Sequence, residues 1–344
     1  MKDIIAIRVD GSSEIGFGHL MRMKALAREF SKPGAEVIFL SRNPENLIGH
    51  RVLKLDRQVG EKEDLLVGEM LMDLQAGMLI IDSYDYTRER LDRAGQLELL
   101  SVYVDDLNRH PFNMDFVVNG NLYAPGLDYQ GSARFLLGTK YLLMREEFAG
   151  VPLRLPNRRV EHVLLTFGAA DMENVTPKIL RALKSYEQFE GLHWHVVIGP
   201  VFRNTAEIED MAKDCPNVTL HYNPAIKKLI DLCDISISAA GSTTYELAAC
   251  GVPALLIIAA DNQIRLARKA ERQGMALNLG WHYELDPGKL HSTLDSLLNN
   301  QTLREKMTSR GQGLIDGRGA QRVAAILLDE MRRNKYGYKR DDSG

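Results

Sequence analysis

The chain of 344 residues is poor in cysteine, in tryptophan and in net charge. Its three cysteines, Cys215, Cys233 and Cys250, are odd in number and lack metal-ligand spacing. That argues against a disulfide framework or a zinc module and fits a reducing cytoplasm, where the protein is expected to reside. With 43 basic and 46 acidic residues the net charge is only −3, so neither nucleic acid nor a charged membrane surface is an expected partner. No apolar run approaches the roughly 20 residues of a membrane span, and the opening Ile4–Val9 run is too short for a secretory signal. Repeats, heptad arrays and low-complexity tracts are missing too.

What the sequence does contain is alternation. Apolar runs rich in β-branched residues, Ile4–Val9, Glu36–Leu40, Met78–Ile81, Ser101–Val104 and Phe116–Val118, read as strands, with helical stretches at His19–Phe30, Lys62–Leu74 and Thr87–Leu97. The segment Phe148–Arg159, rich in Pro and Arg and without a period, reads as a linker. Beyond it the alternation restarts, with strands at Val163–Thr166, Trp194–Ile198, Val218–His221, Ile235–Ser238 and Ala254–Ile258. Helices are expected near Glu173–Ser185, Thr205–Lys213, Ile226–Cys233, Ser242–Cys250 and Asn262–Gln273. The tail from Leu290 to Arg333 is helical in pattern, with Gly311, Gly313, Gly317 and Gly319 as expected breaks. Strands apolar on both faces imply parallel sheets covered by helices. The expected fold is α/β, two Rossmann-like parallel-sheet domains over residues 1–150 and 151–344, with ligands in the crevice at the strands' carboxyl ends.

Three constellations carry chemistry. In the first, Arg8-Val9-Asp10-Gly11 through Gly16-Phe17-Gly18-His19, a strand runs through a glycine loop into a helix. Gly16 and Gly18 allow close backbone approach to a ligand, and the helix start offers free N–H groups. His19 stands at that start, and Asp10 leaves the same strand end, placed to orient the imidazole or raise its basicity. The bland alternative is a tight turn carrying a merely polar histidine, and the spacing does not match the dinucleotide G-x-G-x-x-G loop.

The second constellation is Gly241-Ser242-Thr243-Thr244-Tyr245-Glu246, again strand, glycine, hydroxyls, helix. Backbone N–H groups, hydroxyls and the helix dipole suit a diphosphate, and Glu246, one turn on, suits the two hydroxyls of a ribose. Equally, Thr243-x-x-Glu246 fits a capping box that would turn Glu246 onto backbone. In the third, Asn262 and Gln263 follow a buried strand and can meet sugar hydroxyls or cap a helix. Asp82-Ser83-Tyr84, Asp105-Asp106 and Gly168-Ala169-Ala170-Asp171 are lesser candidates at strand ends. Adjacent aspartates can hold a metal, but no further acidic cluster accompanies them, so no metal site or cofactor is expected. His193, His195 and His221 read as structural.

Taken in order, these motifs resemble the pseudaminic-acid pathway hydrolases of UDP-2,4-diacetamido-2,4,6-trideoxy-β-L-altropyranose and the spore-coat SpsG group. The resemblance runs from Arg8-x-Asp10-x-Ser12 and Ile15-Gly16-x-Gly18-His19, through Asp82-Ser83-Tyr84, Val104-Asp105-Asp106-Leu107 and Thr166-Phe167-Gly168, to Gly241-Ser242-Thr243-Thr244-x-Glu246 and Asn262-Gln263. That family is similar to MurG-type glycosyltransferases and shares their two-domain GT-B architecture. The resemblance implies a UDP-sugar hydrolase with water as acceptor, working without metal beside other polysaccharide-pathway enzymes. It implies His19 as the catalytic histidine, Tyr84 near the sugar, Glu246 on the ribose, Gly241 to Thr243 at the diphosphate, and Asn262 and Gln263 toward the sugar. It also implies a C-terminal helix, Gln321–Arg332, packing back on the first domain. The chain departs from the family at Ala169, Ala170 and Ala240, where glycine and serine are usual. A true glycosyltransferase and a non-catalytic nucleotide-sugar-binding scaffold are the rival readings.

Overall fold

The computed structural model describes residues 2–12, 16–56 and 60–336. Ile15 of the first motif, with its neighbours Ser13 and Glu14, lies outside the described residues. The chain divides into two compact units, Met1–Glu146 with Arg318–Gly344, and Glu147–Gly317.

Unit 1 holds seven strands, β1 (Ile4–Val9), β2 (Glu36–Ser41), β3 (Arg51–Lys54), β4 (Met78–Asp82), β5 (Leu100–Val104), β6 (Phe116–Asn119) and β7 (Arg134–Leu137). They form one parallel sheet in the order β3-β2-β1-β4-β5-β6-β7. Strand alternation splits β1 between two cores. Ile5, Ile7 and Val9 pack with Leu20, Met23 and Phe30 of α1 (Gly18–Ser31) and with Val323 and Leu327 of the chain's last helix, Gly319–Tyr336. Ala6 packs on the opposite face with Val67 and Leu71 of α2 (Glu61–Leu74) and Leu91 of α3 (Arg88–Gly95). Arg8 shares that second face, and its fully buried guanidinium is met by Glu63 of α2 at 3.0 Å and Asp10 at 2.7 Å.

Unit 2 holds β8 (His162–Thr166), β9 (His193–Ile198), β10 (Val218–Tyr222), β11 (Ile235–Ala239), β12 (Ala254–Ile258) and β13 (Ala276–Trp281). These too are all parallel, in the order β10-β9-β8-β11-β12-β13. Its helices are α4 (Val175–Lys184), α5 (Thr205–Lys213), α6 (Ile226–Leu232), α7 (Thr243–Ala249), α8 (Ile264–Arg272), α9 (Pro287–Asn299) and α10 (Gln301–Leu314). Strand order reverses between β1 and β4 in one unit and between β8 and β11 in the other, and such switch points open a crevice at the strands' carboxyl ends.

Three local expectations are corrected. The strands missing from the sequence reading, β3, β7 and β13, are all sheet edges. Edge strands need cover on fewer sides, so Arg51, Lys54 and Arg134 stay exposed and break the apolar run. Gly311 and Gly313 do not interrupt a helix: α10 runs through both and ends at Leu314. A Cβ on Gly311 would come within 3.1 Å of the Ala248 carbonyl oxygen, so the glycine serves close packing of α10 on α7. The interruption upstream falls instead at Asn300, whose side chain caps α10 by accepting from Leu303 N. Finally, Phe148–Arg159 has little regular structure but is anchored. Phe148 is fully buried, and Arg154 donates to the carbonyls of Ile230 (3.2 Å) and Cys233 (2.6 Å).

Among the described residues no helix is long and apolar enough to cross a membrane.

Candidate active site

The switch point of unit 1 gathers the first constellation. A Cβ on Gly11 would lie 2.4 Å from Leu20 Cδ1, so at this glycine the loop after β1 passes close against the buried Leu20 of α1. Gly16 N donates to Ser12 O at 2.8 Å and closes the loop, and α1 begins at Gly18. His19 is therefore the second residue of the helix, and Arg22, three residues on, shares its side. The ends of the neighbouring strands supply the rest: Asp82 from β4 with Tyr84 just beyond, Asp106 after β5, Asn121 after β6.

These side chains are cross-linked. His19 Nδ1 lies 2.6 Å from Asp82 Oδ1. A carboxylate only accepts, so in the neutral imidazole this contact puts the proton on Nδ1 and leaves Nε2 with a free lone pair. Arg22 donates Nε to Asp82 Oδ2 at 2.7 Å and Nη2 to Oδ1 at 2.6 Å, while its Nη1 lies 2.9 Å from both oxygens of Asp106. Asp106 also accepts from Tyr84 Oη and Asn121 Nδ2, each at 2.8 Å. The Tyr84 ring stands edge-on to His19, with centroids 4.7 Å apart and planes at 86°.

Burial of Asp82 by itself favours its neutral form, but Arg22 and then His19 outweigh it and hold the carboxyl at about 2. Partial burial and the Asp106 charge push the Tyr84 phenol well above its ordinary range, so it stays a donor.

Asp10 does not orient His19. Its Oδ2 accepts from Arg8 at 2.7 Å and its Oδ1 from Arg42 N at 2.8 Å. The cause is strand parity: Asp10 follows Arg8 on the α2 and α3 face, whereas Val9, and with it α1, lies on the other. The carboxylate against the imidazole is Asp82, from the adjacent strand. Asp105 and Asp106 diverge as well. Asp105 accepts from Leu107 N (3.1 Å), Asn108 N (2.8 Å) and the Tyr129 hydroxyl rather than sharing a site with its neighbour. Among the described residues no group of three or more His, Cys, Asp or Glu is arranged to hold a metal ion.

The second switch point, in unit 2, is built mainly from backbone. After β11, Ala240 N donates to Ile257 O at 3.0 Å, and Gly241 leads to Ser242, which occupies the N-cap position of α7 without a side-chain capping bond. The cap therefore falls one residue before Thr243, and Glu246 becomes the fourth helical residue rather than the third. The spacing of a capping box is not met. Gln263 sits beside this turn, its Nε2 4.0 Å from where a Cβ on Gly241 would stand, and its Oε1 accepts from Ala259 N at 2.9 Å. Asn262 is exposed in the turn Asp261–Gln263. Across the switch point, left-handed backbone falls at Gly168 (φ 76°) and Asp171 (φ 39°), not at Ala169 or Ala170, so the family departures there carry no backbone strain. Both Asp171 oxygens are used on the first turn of α4, accepting from Val175 N and Thr176 N at 2.8 Å each.

The histidines of unit 2 form a row on adjacent strands. His162 Nδ1 lies 3.0 Å from His195 Nε2, and His195 Nδ1 lies 3.0 Å from His221 Nε2. Burial, then the neighbouring imidazoles, pull His195 down to about 4.

Of the residues that build unit 1's site, no local sequence pattern singles out Arg22 or Asn121, and Asp82 reads only as a strand-end acid. The one available signal was that Arg22 lies one helical turn after His19.

Residues 158–323 match the model of the glycosyltransferase family 28 C-terminal domain. The spore coat polysaccharide biosynthesis protein SpsG of Bacillus subtilis is 23% identical over 336 residues, 94% of this chain and 98% of that one. The UDP-2,4-diacetamido-2,4,6-trideoxy-beta-L-altropyranose hydrolase of Campylobacter jejuni is 27% identical over 185 residues, 52% of this chain and 65% of that one. An uncharacterized protein of Methanocaldococcus jannaschii, MJ1062, is 26% identical over 274 residues; the match takes in 74% of this chain and only 55% of that protein's length. Among solved structures, MurG of Acinetobacter baumannii superposes with a TM-score of 0.71 at 15% identity, covering 96% of this chain and all of that one. With two doubly wound parallel sheets, a family 28 C-terminal segment and relatives of this kind along its length, the chain has the GT-B fold and is similar to SpsG and to the altropyranose hydrolase.

Proposed function

We propose that the protein hydrolyses a UDP-linked deoxyamino-sugar in the biosynthesis of a surface or spore-coat polysaccharide of the nonulosonic-acid type. The observation that carries this reading is the His19–Asp82 pair at the switch point of unit 1, which frees Nε2 to act as a base. In the reaction, Nε2 takes a proton from water as the water oxygen bonds to the anomeric carbon. The bond from that carbon to the UDP oxygen breaks, and UDP leaves as the anion. The turn Gly241–Thr243 holds the diphosphate through N–H groups and hydroxyls, and Glu246 accepts the ribose hydroxyls. Tyr84, Gly16, Gly18, Asn262 and Gln263 are assigned to the sugar; Asp10 is assigned to the structural network around Arg8. The name of the Campylobacter relative and the spore-coat name of SpsG support the substrate class.

A glycosyltransferase with a sugar or lipid acceptor is the second reading. It is favoured by the family 28 match and by exposed apolar side chains in unit 1, Ile48 at 87% and Met72 at 72%. The test is UDP release from a panel of UDP-deoxyamino-sugars with no acceptor present. Release by the wild type, lost several hundred-fold in His19→Ala on the scale of acid–base chemistry, is the expected result. UDP binding without release, with turnover only on adding an acceptor, selects the transferase; binding with no turnover under either condition selects a scaffold.

A further inference from the structure

His19 Nδ1 has two neighbours of opposite demand. Asp82 Oδ1 at 2.6 Å can only accept, and Arg22 Nη2 at 3.0 Å can only donate. Both meet at one atom, because Nη2 also lies 2.6 Å from Asp82 Oδ1. The three atoms close a triangle in which the carboxylate oxygen accepts from each side and the guanidinium faces the ring N–H donor to donor. That contact costs little against a neutral ring and is repulsive against a charged one.

The burial of Asp82 gives the triangle its purpose. Its side chain is fully buried, whereas His19 and Arg22 keep 11% and 20% of theirs exposed. A lone buried carboxylate beside an imidazole gains by drawing a second proton onto the ring, since an unpaired buried charge is the costlier state. The result would be an imidazolium whose Nε2 carries a proton and cannot accept one. Arg22 supplies the countercharge in its place, through Nε at 2.7 Å and Nη2. Its remaining nitrogen reaches Asp106, which holds the Tyr84 hydroxyl, so one side chain also braces the aromatic edge against the imidazole.

We infer that Arg22 is the positioning residue that keeps His19 a base: it neutralises Asp82, confines the single ring proton to Nδ1 and leaves the Nε2 lone pair open. The inference rests on the proposed role of His19 as the base, and its test reads the proton directly as well as through turnover.

The experiment is nitrogen-15 NMR of the histidine side chains at pH 7.5 in the full chain, with the His19 signals identified by their loss in His19→Gln. The wild type should show His19 protonated on Nδ1 alone. Arg22→Gln should show both nitrogens protonated, and Arg22→Lys, which restores a countercharge, should return the wild-type pattern. Asp82→Ala removes the acceptor and keeps the donor, so Nδ1 should accept from Arg22 and the proton should move to Nε2. Unchanged signals from His50 and His110, in the same unit, report that each variant is folded. Persistence of the Nδ1-only pattern in a folded Arg22→Gln or Asp82→Ala variant would overturn the inference. In turnover, Arg22→Gln should lower kcat about a hundredfold with KM changed less than about threefold, and Arg22→Lys should recover most of the loss. If no UDP-sugar is turned over by the wild type, the hydrolase reading fails while the NMR outcome still decides the role of Arg22.

Discussion

At the switch point of unit 1, His19, Arg22, Asp82, Tyr84, Asp106 and Asn121 are tied by charged hydrogen bonds of 2.6–2.9 Å drawn from a helix and three strand ends. At the switch point of unit 2 the corresponding position offers a glycine turn, two hydroxyls and a short helix start. The same topology is thus finished in two materials. A side-chain network fixes a proton on a chosen atom, which is what acid–base chemistry needs. A backbone turn offers several N–H donors to an anion without burying an opposing charge, which suits a diphosphate that must later leave. The comparison predicts that damage to unit 1's site removes chemistry, whereas damage to unit 2's weakens binding.

The largest expected effect comes from Asp82→Asn, which presents an amide N–H where the ring proton now goes. It should lower kcat by about 10³–10⁴, the cost of a wrong tautomer in a His–Asp pair, with UDP affinity unchanged. Steady-state kinetics with UDP competition checks both halves, and equal losses in kcat and UDP affinity would break the comparison.

Unit 1 also holds a second charged network that has no part in the proposed chemistry, and it offers the next test. Glu63→Ala leaves the fully buried Arg8 and the Arg90 guanidinium without their shared partner at 3.0 Å from each. Breaking a buried pair in this way costs about 3–5 kcal/mol. Both tryptophans, Trp194 and Trp281, belong to unit 2. Urea unfolding followed by circular dichroism should therefore shift, while the tryptophan-fluorescence transition stays in place. A shift in the fluorescence transition alone would contradict the assignment.

Glu246→Ala tests unit 2's site. It should weaken UDP binding about 10- to 100-fold, the value of one or two charged hydrogen bonds, with kcat for bound substrate within a few-fold of wild type. Titration calorimetry with UDP measures the first and saturating-substrate kinetics the second.

The smallest effect concerns pH. His195 sits at about 4 in the folded chain against an ordinary 6.5. Its folded value is depressed, so the unfolded chain binds the extra proton between those values. Stability from this group is full above about 6.5 and is lost as pH falls toward 4, by about 1–3 kcal/mol. Urea midpoints read by tryptophan fluorescence should fall between pH 7.5 and 4.5, and His195→Asn should flatten that fall. A pH-independent midpoint in the wild type would refute it.

Legibility followed the physics of burial. Interior strands such as β1, β4 and β12 need apolar residues on both faces and stand out as runs; the edges β3, β7 and β13 need cover on fewer sides and do not. Gly311 and Gly313 read as breaks because propensity disfavours them inside a helix, yet packing against Ala248 outweighed that preference at Gly311. His19 was legible from its own loop. Its partner was not, because Asp82 lies 63 residues away and the nearer Asp10 points to the other face of the sheet.

The sequence by itself determined the α/β class, the interior strands and the two strand–glycine–helix turns, since burial, backbone freedom and helix starts are local demands written in residue type. The tertiary structure alone decided which carboxylate meets His19, that Arg22 bridges Asp82 to Asp106, and that α7 starts with Ser242 rather than Thr243 at its N-cap position. Those outcomes depend on strand order and side-chain parity, which bring together residues that no local pattern connects.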